Sequence, residues 1–208
     1  MVPDDRADKS WFLAWPSVKR SSAMFAYTPR HRGFTLIELL MTLCLLSVLL
    51  ALGMPAYGGL TARARGRSAA DTLQVSLNEA RMAAISRGAH VVACPSEDLL
   101  QCDRTTQWQH GWLLFADNDH DGERSQSEPV LQAMQAQPQG VAIVSTNGRP
   151  HVVFKPDGRA DGSNLTFTAC DRSAGPGAAI SLVINMAGRV RVAKASAEAA
   201  AHCMQAAG

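Results

Sequence analysis

The sequence predicts an α+β fold, with a long N-terminal helix, partly transmembrane, packed on an antiparallel β-sheet domain. Three observations carry this. From Leu39 to Ala62 run 24 residues without a charge, mostly Leu, Met, Val and Ala, and a bilayer core needs about 20 apolar residues in a helix. Ala69, Leu73, Leu77, Ala80 and Ala84 then recur at steps of four and three, which lays one apolar stripe along a helix. After Gly88 the pattern changes to short apolar runs separated by Gly, Pro, Asn and Asp, the signature of strands and turns.

Composition bounds what such a chain does. Of 208 residues, 47% are apolar and 18% charged, so a packed core is expected rather than disorder. The net charge of +2 is too small for bulk attraction to nucleic acid, which would need a local basic patch. The uncharged run makes a fully soluble cytosolic protein the poorer reading, because buried core helices rarely stay apolar all round for that length.

The elements follow in order. Residues 1–33 form a basic leader, with Lys19, Arg20, Arg30, His31 and Arg32 close to the apolar run and Met24 an alternative start. An ordinary signal peptide carries a small-residue cleavage site after its apolar stretch. Here Gly33-Phe34 precedes that stretch and Glu38 sits inside its beginning. Residues 34–60 read as the transmembrane half of the helix and 61–88 as its amphipathic half. Pro55 and Gly58-Gly59 are expected to bend it, and Gly88 to stop it. Unbroken to Arg87 it would be roughly 80 Å long. Residues 89–194 form the β domain. Its strands are expected at His90–Ala93, Trp112–Phe115, Val130–Met134, Val141–Ser145, Val152–Phe154, Leu165–Ala169, Ile180–Ile184 and Val190–Val192. Trp108 and Trp112 are expected to anchor packing. The Ala-rich stretch from Ala195 to Gly208 is expected to be a tail, partly helical.

Cys44 reads as a small buried hydrophobe. Cys94, Cys102, Cys170 and Cys203 fall in the β region without metal-like spacing. An even number outside an anchor suggests disulfides in an oxidising compartment, here a periplasm. Three pairings are open. Cys94–Cys102 with Cys170–Cys203 is preferred, closing a short polar loop and tying the tail by Cys203.

Arg32-Gly33-Phe34-Thr35-Leu36-Ile37-Glu38-Leu39-Leu40 closely resembles the cleavage and methylation site of type IV prepilins and pseudopilins. That resemblance implies cleavage after Gly33 by a prepilin peptidase and N-methylation of Phe34. It makes Glu38 the fifth mature residue, meeting a neighbouring subunit's amine during assembly, and Pro55 the family's kinking proline. A leader starting at Met24 has the short basic form usual in the family. The remainder is similar to the GspH/FimT branch of minor pilin-like subunits, through Gly111-Trp112, the Phe115–Gly122 stretch and Gly188-Arg189-Val190-Arg191. The implied fold is pilin-like. The implied partners are other pilins or pseudopilins, the prepilin peptidase and the bacterial inner membrane, with the C-terminal domain in the periplasm. The implied function is that of a subunit which helps initiate or cap the filament of a type IV pilus or type II secretion system. In the FimT type a Gly-Arg-x-Arg element is implicated in DNA uptake, so Gly188, Arg189 and Arg191 extend the expectation to double-stranded DNA. A DNA-binding module as the main role is the alternative, and a calcium-stabilised adhesin-like tip protein trails both.

The residues support parts of this unaided. A lone carboxylate in hydrocarbon is costly and seeks a partner, as Glu38 would. Arg189 and Arg191, two apart on a strand, share one face, with Lys194 nearby and Arg149, Lys155 and Arg159 at the same end of the sheet. Asp117, Asp119, Asp121 and Glu128 fit the pattern of a calcium loop. Their flanks read as strands, so an Asp/Gly-rich hairpin loop is preferred over calcium, and no cofactor is expected. No nucleophile elbow, zinc-protease motif, phosphate loop or dinucleotide fingerprint occurs in the sequence, so no enzymatic activity is expected.

Overall fold

The computed structural model describes residues 33–162 and 164–207, with the side chains of residues 54–56 left aside. Most of the basic leader, including Met24, lies outside the described residues, as does the Pro55 side chain. Two compact units are distinguished, one ending at Leu43 and the other running from Cys44.

Helix α1 spans Leu36–Arg87. Thr35 starts it: its Oγ1 accepts the Glu38 N–H at 3.3 Å and its carbonyl accepts the Leu39 N–H. The Thr-x-x-Glu spacing suits a helix N-terminus, and a first-turn glutamate favours the positive helix end. The helix runs through residue 55 and ends before Gly88, whose φ of +62° is the left-handed stop that glycine adopts without strain. Its most apolar window has a mean hydropathy of 2.4 and is covered by nothing among the described residues. Cys44 is exposed on this helix rather than buried, because the residues around it face outward on every side.

Among the described residues, the second unit holds eight antiparallel strands divided between two sheets. Strands β1 (His90–Pro95), β2 (Gly111–Asp117), β3 (Val130–Gln135) and β5 (Val152–Phe154) make one, in the order β3-β2-β1-β5. Strands β4 (Val141–Ser145), β6 (Leu165–Asp171), β7 (Ile180–Ile184) and β8 (Val190–Lys194) make the other, in the order β4-β6-β7-β8. Every expected run is a strand; how the strands divide between sheets is set by long-range pairing that no local pattern records.

Both sheets turn one face to the same helix. Ala69, Leu73, Leu77, Ala80 and Ala84 are buried against Val91, Ala93, Trp112, Leu114 and Phe154 of the first sheet. They are equally buried against Ile143, Phe167, Leu182 and Ile184 of the second. Burying each leucine contributes about 1.5–3 kcal/mol, so the stripe fixes which side of the helix faces inward. Trp108 and Trp112 are fully buried here, Trp108 edge-on to Phe167 at 4.8 Å between ring centres.

The outer faces are covered separately. Val92, Cys94, Leu113 and Phe115 lie beneath the loop closed by Cys94–Cys102. On the second sheet, Ala142, Val144, Cys170 and Ala179 pack against Ala200 and Cys203. These last belong to a second helix, α2 (Ala197–Ala206), capped by Ser196 Oγ accepting the Ala199 N–H. The stretch expected as a tail is therefore a packed helix, held by Cys170–Cys203. The two disulfides are the preferred pairing.

Candidate functional site

Three sets of residues were singled out by the sequence, and the fold treats them differently. At the N-terminus, Gly33 has open space where a side chain would project, and Phe34 is 82% exposed. Nothing among the described residues requires glycine at position 33. Glu38 is exposed in the first turn of α1, three residues after its cap.

The cationic set is reorganised. Arg189 is not within β8 but closes the turn before it: its N–H donates to Asn185 Oδ1 at 3.0 Å and its carbonyl accepts the Asn185 N–H. Arg191 lies opposite Val183 and Lys194 opposite Ile180. Facing residues of an antiparallel pair share a side, and neighbours along a strand alternate. Arg191 therefore points to the outer face of the sheet. Lys194 belongs with Val190 and Val192 on the opposite face and at the far end of the strand. The expected trio is thus a pair, Arg189 and Arg191, with Lys194 apart. Both arginines are exposed, and among the described residues neither forms an ion pair.

Other cations come to the Arg189 end instead. The Lys155–Arg159 turn abuts the Asn185–Arg189 turn, with the Ala160 N–H donating to the Met186 carbonyl at 3.2 Å. Gly188 has φ +73°, and a Cβ there would stand 2.0 Å from the Gly158 oxygen. Only glycine allows the two turns to touch, which gives the glycine of Gly188-Arg189-Val190-Arg191 a packing reason. Arg81 of α1 reaches under both turns, its Nε donating to that same Gly158 oxygen at 2.8 Å. Arg159 is exposed, Arg149 lies over Gly162, and Lys155 is tied to Asp161 at 2.9 Å. The Lys155 ammonium holds the Asp161 carboxyl below its usual range.

In the acidic loop, carboxylate oxygens of Asp117, Asp119 and Glu128 lie within 4.8 Å of one another. Asp121 is not among them; its Oδ1 instead accepts the Glu123 N–H at 2.7 Å. Glu128 is buried and accepts the Asn118 and Ser125 N–H groups, while Asp117 accepts the His120 N–H. Burial pushes the Asp117 carboxyl up from its ordinary value, backed by the nearby Glu128 charge. These carboxylates already serve the loop's own backbone, the arrangement of a hairpin between β2 and β3. Arg104 pairs with Glu123 and Arg124 donates to the Leu100 carbonyl, so this loop is fastened to the Cys94–Cys102 loop.

Two working contacts had no sequence signal. Arg65 Nε donates to Asp171 Oδ2 at 2.9 Å, and the Asp171 side chain is fully buried. Arg81 meets Gly158 across 77 residues. An arginine on the polar side of a helix carries no local mark of a partner so distant.

A long helix with an exposed apolar half, a Gly-Phe-x2-Ile-Glu start and a disulfide-closed β domain packed on the other half define a pilin-like subunit. Residues 28–54 match the prokaryotic N-terminal methylation motif. Residues 69–188 match the model of the type II transport protein GspH, and the chain belongs to that family. It is a minor pilin or pseudopilin of a type IV filament system. Among solved structures it is similar to the type IV minor pilin FimU of Pseudomonas aeruginosa, in one crystal form at 20% identity and a TM-score of 0.50, covering 67% of this chain and 94% of that one. A second crystal form of FimU gives 20% identity and 0.49, over 64% and 94%. The minor pseudopilin EpsH of the Vibrio cholerae type 2 secretion system gives 11% and 0.45, over 62% and 97%. The likeness to FimU is one of fold. No curated protein sequence matches the chain.

Proposed function

We propose that the chain is cleaved after Gly33, N-methylated on Phe34 and held in the bacterial inner membrane by α1, with its β domain in the periplasm. From there it joins a filament and helps to initiate or cap it. The observation that carries this is the placement of the processing motif directly before the capped start of an apolar, uncovered helix. Since a Cβ at position 33 meets nothing among the described residues, a requirement for glycine there is assigned to the peptidase, whose approach a side chain would obstruct. Replacing Gly33 by leucine is expected to leave the full-length form in the membrane. Mature-size protein in that variant, read by mass spectrometry, would sink the reading.

A second reading, contact with double-stranded DNA, is favoured by the exposed Arg189 and Arg191 beside the Lys155–Arg159 turn. Two or three cations reach only phosphates, so binding should be weak and independent of sequence. Its log–log salt slope should be roughly −2 to −3, at about −0.9 per phosphate. Arg189→Ala with Arg191→Ala should flatten that slope while preserving the fold. Unchanged binding in the double variant would make the pair a solvated strand edge.

A further inference from the structure

The apolar run ends at Ala62, and the next residue is Arg63. At 1.5 Å per residue the run is about 36 Å long, against about 30 Å for a bilayer core. Arg63 therefore emerges at the level of the lipid headgroups. Within one helical turn of that point, α1 meets a segment from the far end of the sequence. A Cβ on Gly66 would sit 3.3 Å from the Asp171 nitrogen. Arg65 holds the buried Asp171 carboxylate at 2.9 Å. Arg63 lines a hollow of about 330 Å³ with Ala174, Gly177 and Ala178. Asp171 also caps the short turn Arg172–Ala174, accepting the Ser173 N–H, so the whole stretch to Ala178 is fixed relative to the helix.

This places the Arg172–Ala178 segment against the membrane surface whenever α1 spans the bilayer. The segment is suited to it: Arg172, Ser173, Pro176 and Gly177 are exposed, without a bulky side chain among the last three. The charges agree. Arg63 and Arg172 are exposed and form no ion pair among the described residues, while the Asp171 carboxylate is turned inward to Arg65. Each arginine at an anionic surface favours contact about fivefold.

We infer that Arg63, Arg172 and the Arg172–Ala178 segment form a docking surface for anionic lipid headgroups, used while the subunit is held in the membrane. The inference rests on the membrane-anchored reading of α1. It gives the β domain a fixed seat on the bilayer before assembly, released when the subunit leaves for a filament.

The test uses the full chain in phosphatidylglycerol vesicles. A fluorescent probe is placed on the Gly177→Cys variant, carrying also Cys44→Ser; a Cβ at 177 touches nothing. A second preparation carries the probe on Cys44, the free cysteine among the described residues. Nitroxide lipids labelled on the headgroup should quench the probe at 177, and those labelled on the acyl chain should quench the probe at 44. Quenching at 177 should fall in phosphatidylcholine, at high salt as screening shortens, and in the Arg63→Gln, Arg172→Gln double variant with unchanged circular dichroism. Quenching at 44 without quenching at 177 overturns the docking surface and leaves the anchor intact. Quenching at neither position overturns the anchor itself. Equal quenching at 177 in both lipids and in the double variant overturns the headgroup contact, leaving mere proximity.

Discussion

Asp117 is 1% exposed and accepts the His120 N–H at 2.8 Å. Burial, and then Glu128, raise its pKa above the ordinary 3.8. A raised folded value means that the folded chain binds the proton more tightly than the unfolded chain does. The stabilising contribution is complete below 3.8 and is lost as pH rises through the folded value. Asp117→Asn keeps a carbonyl for the His120 N–H and removes the buried charge. The variant is expected to match or exceed wild type at pH 7, with the difference closing as pH falls toward the ordinary aspartate value. Urea midpoints across that range measure it. A wild type more stable at pH 7 by over about 1 kcal/mol, and further stabilised by calcium, would make Asp117 a ligand instead. The sequence placed this carboxylate in a turn-rich loop, yet its spacing could not distinguish oxygens gathered for a cation from oxygens spent on backbone N–H groups. Gly188 was similarly legible as a turn residue, while its contact with Gly158 was not.

The element that sequence reasoning underrated is α2. Alanine at most positions of Ala195–Ala201 hides any apolar face, so no period marks the side that packs on β4 and β6. Strands were easier: Ile180, Leu182 and Ile184 alternate visibly, and their even spacing survives into the core face of β7. The grouping into two sheets was not legible, because the pairing of β1 with β5 joins residues about sixty apart. Helix α2 is held by the Cys170–Cys203 bond and the small patch around Ala142, Val144 and Ala200. Replacing both cysteines by serine is expected to cost about 2–4 kcal/mol. Amides of α2 should then exchange far faster than those of β6, seen by hydrogen-exchange mass spectrometry. Unchanged protection of α2 would mean that its apolar contacts suffice.

For the whole molecule, assembly and insertion make different demands on Glu38. Its carboxylate lies beyond the proposed cut and is exposed at the start of α1. Glu38→Ala makes the helix more apolar, so membrane insertion and cleavage should persist, while incorporation into filaments should drop for want of the pairing with a neighbour's amine. Wild-type recovery in sheared filaments would remove that role. The shared core beneath α1 bears on a different matter, time. Leu73 and Leu77 are buried only when Val91 and Leu114 on one side and Leu182 and Ile184 on the other are all in place. Contacts between residues over a hundred apart must close a long loop before they stabilise anything, and such topologies fold slowly. A chain delivered across a membrane from its N-terminal end therefore waits, its helix already formed and its stripe uncovered, until β7 has followed. Over such an interval an uncovered apolar stripe is open to proteases and to other apolar chains.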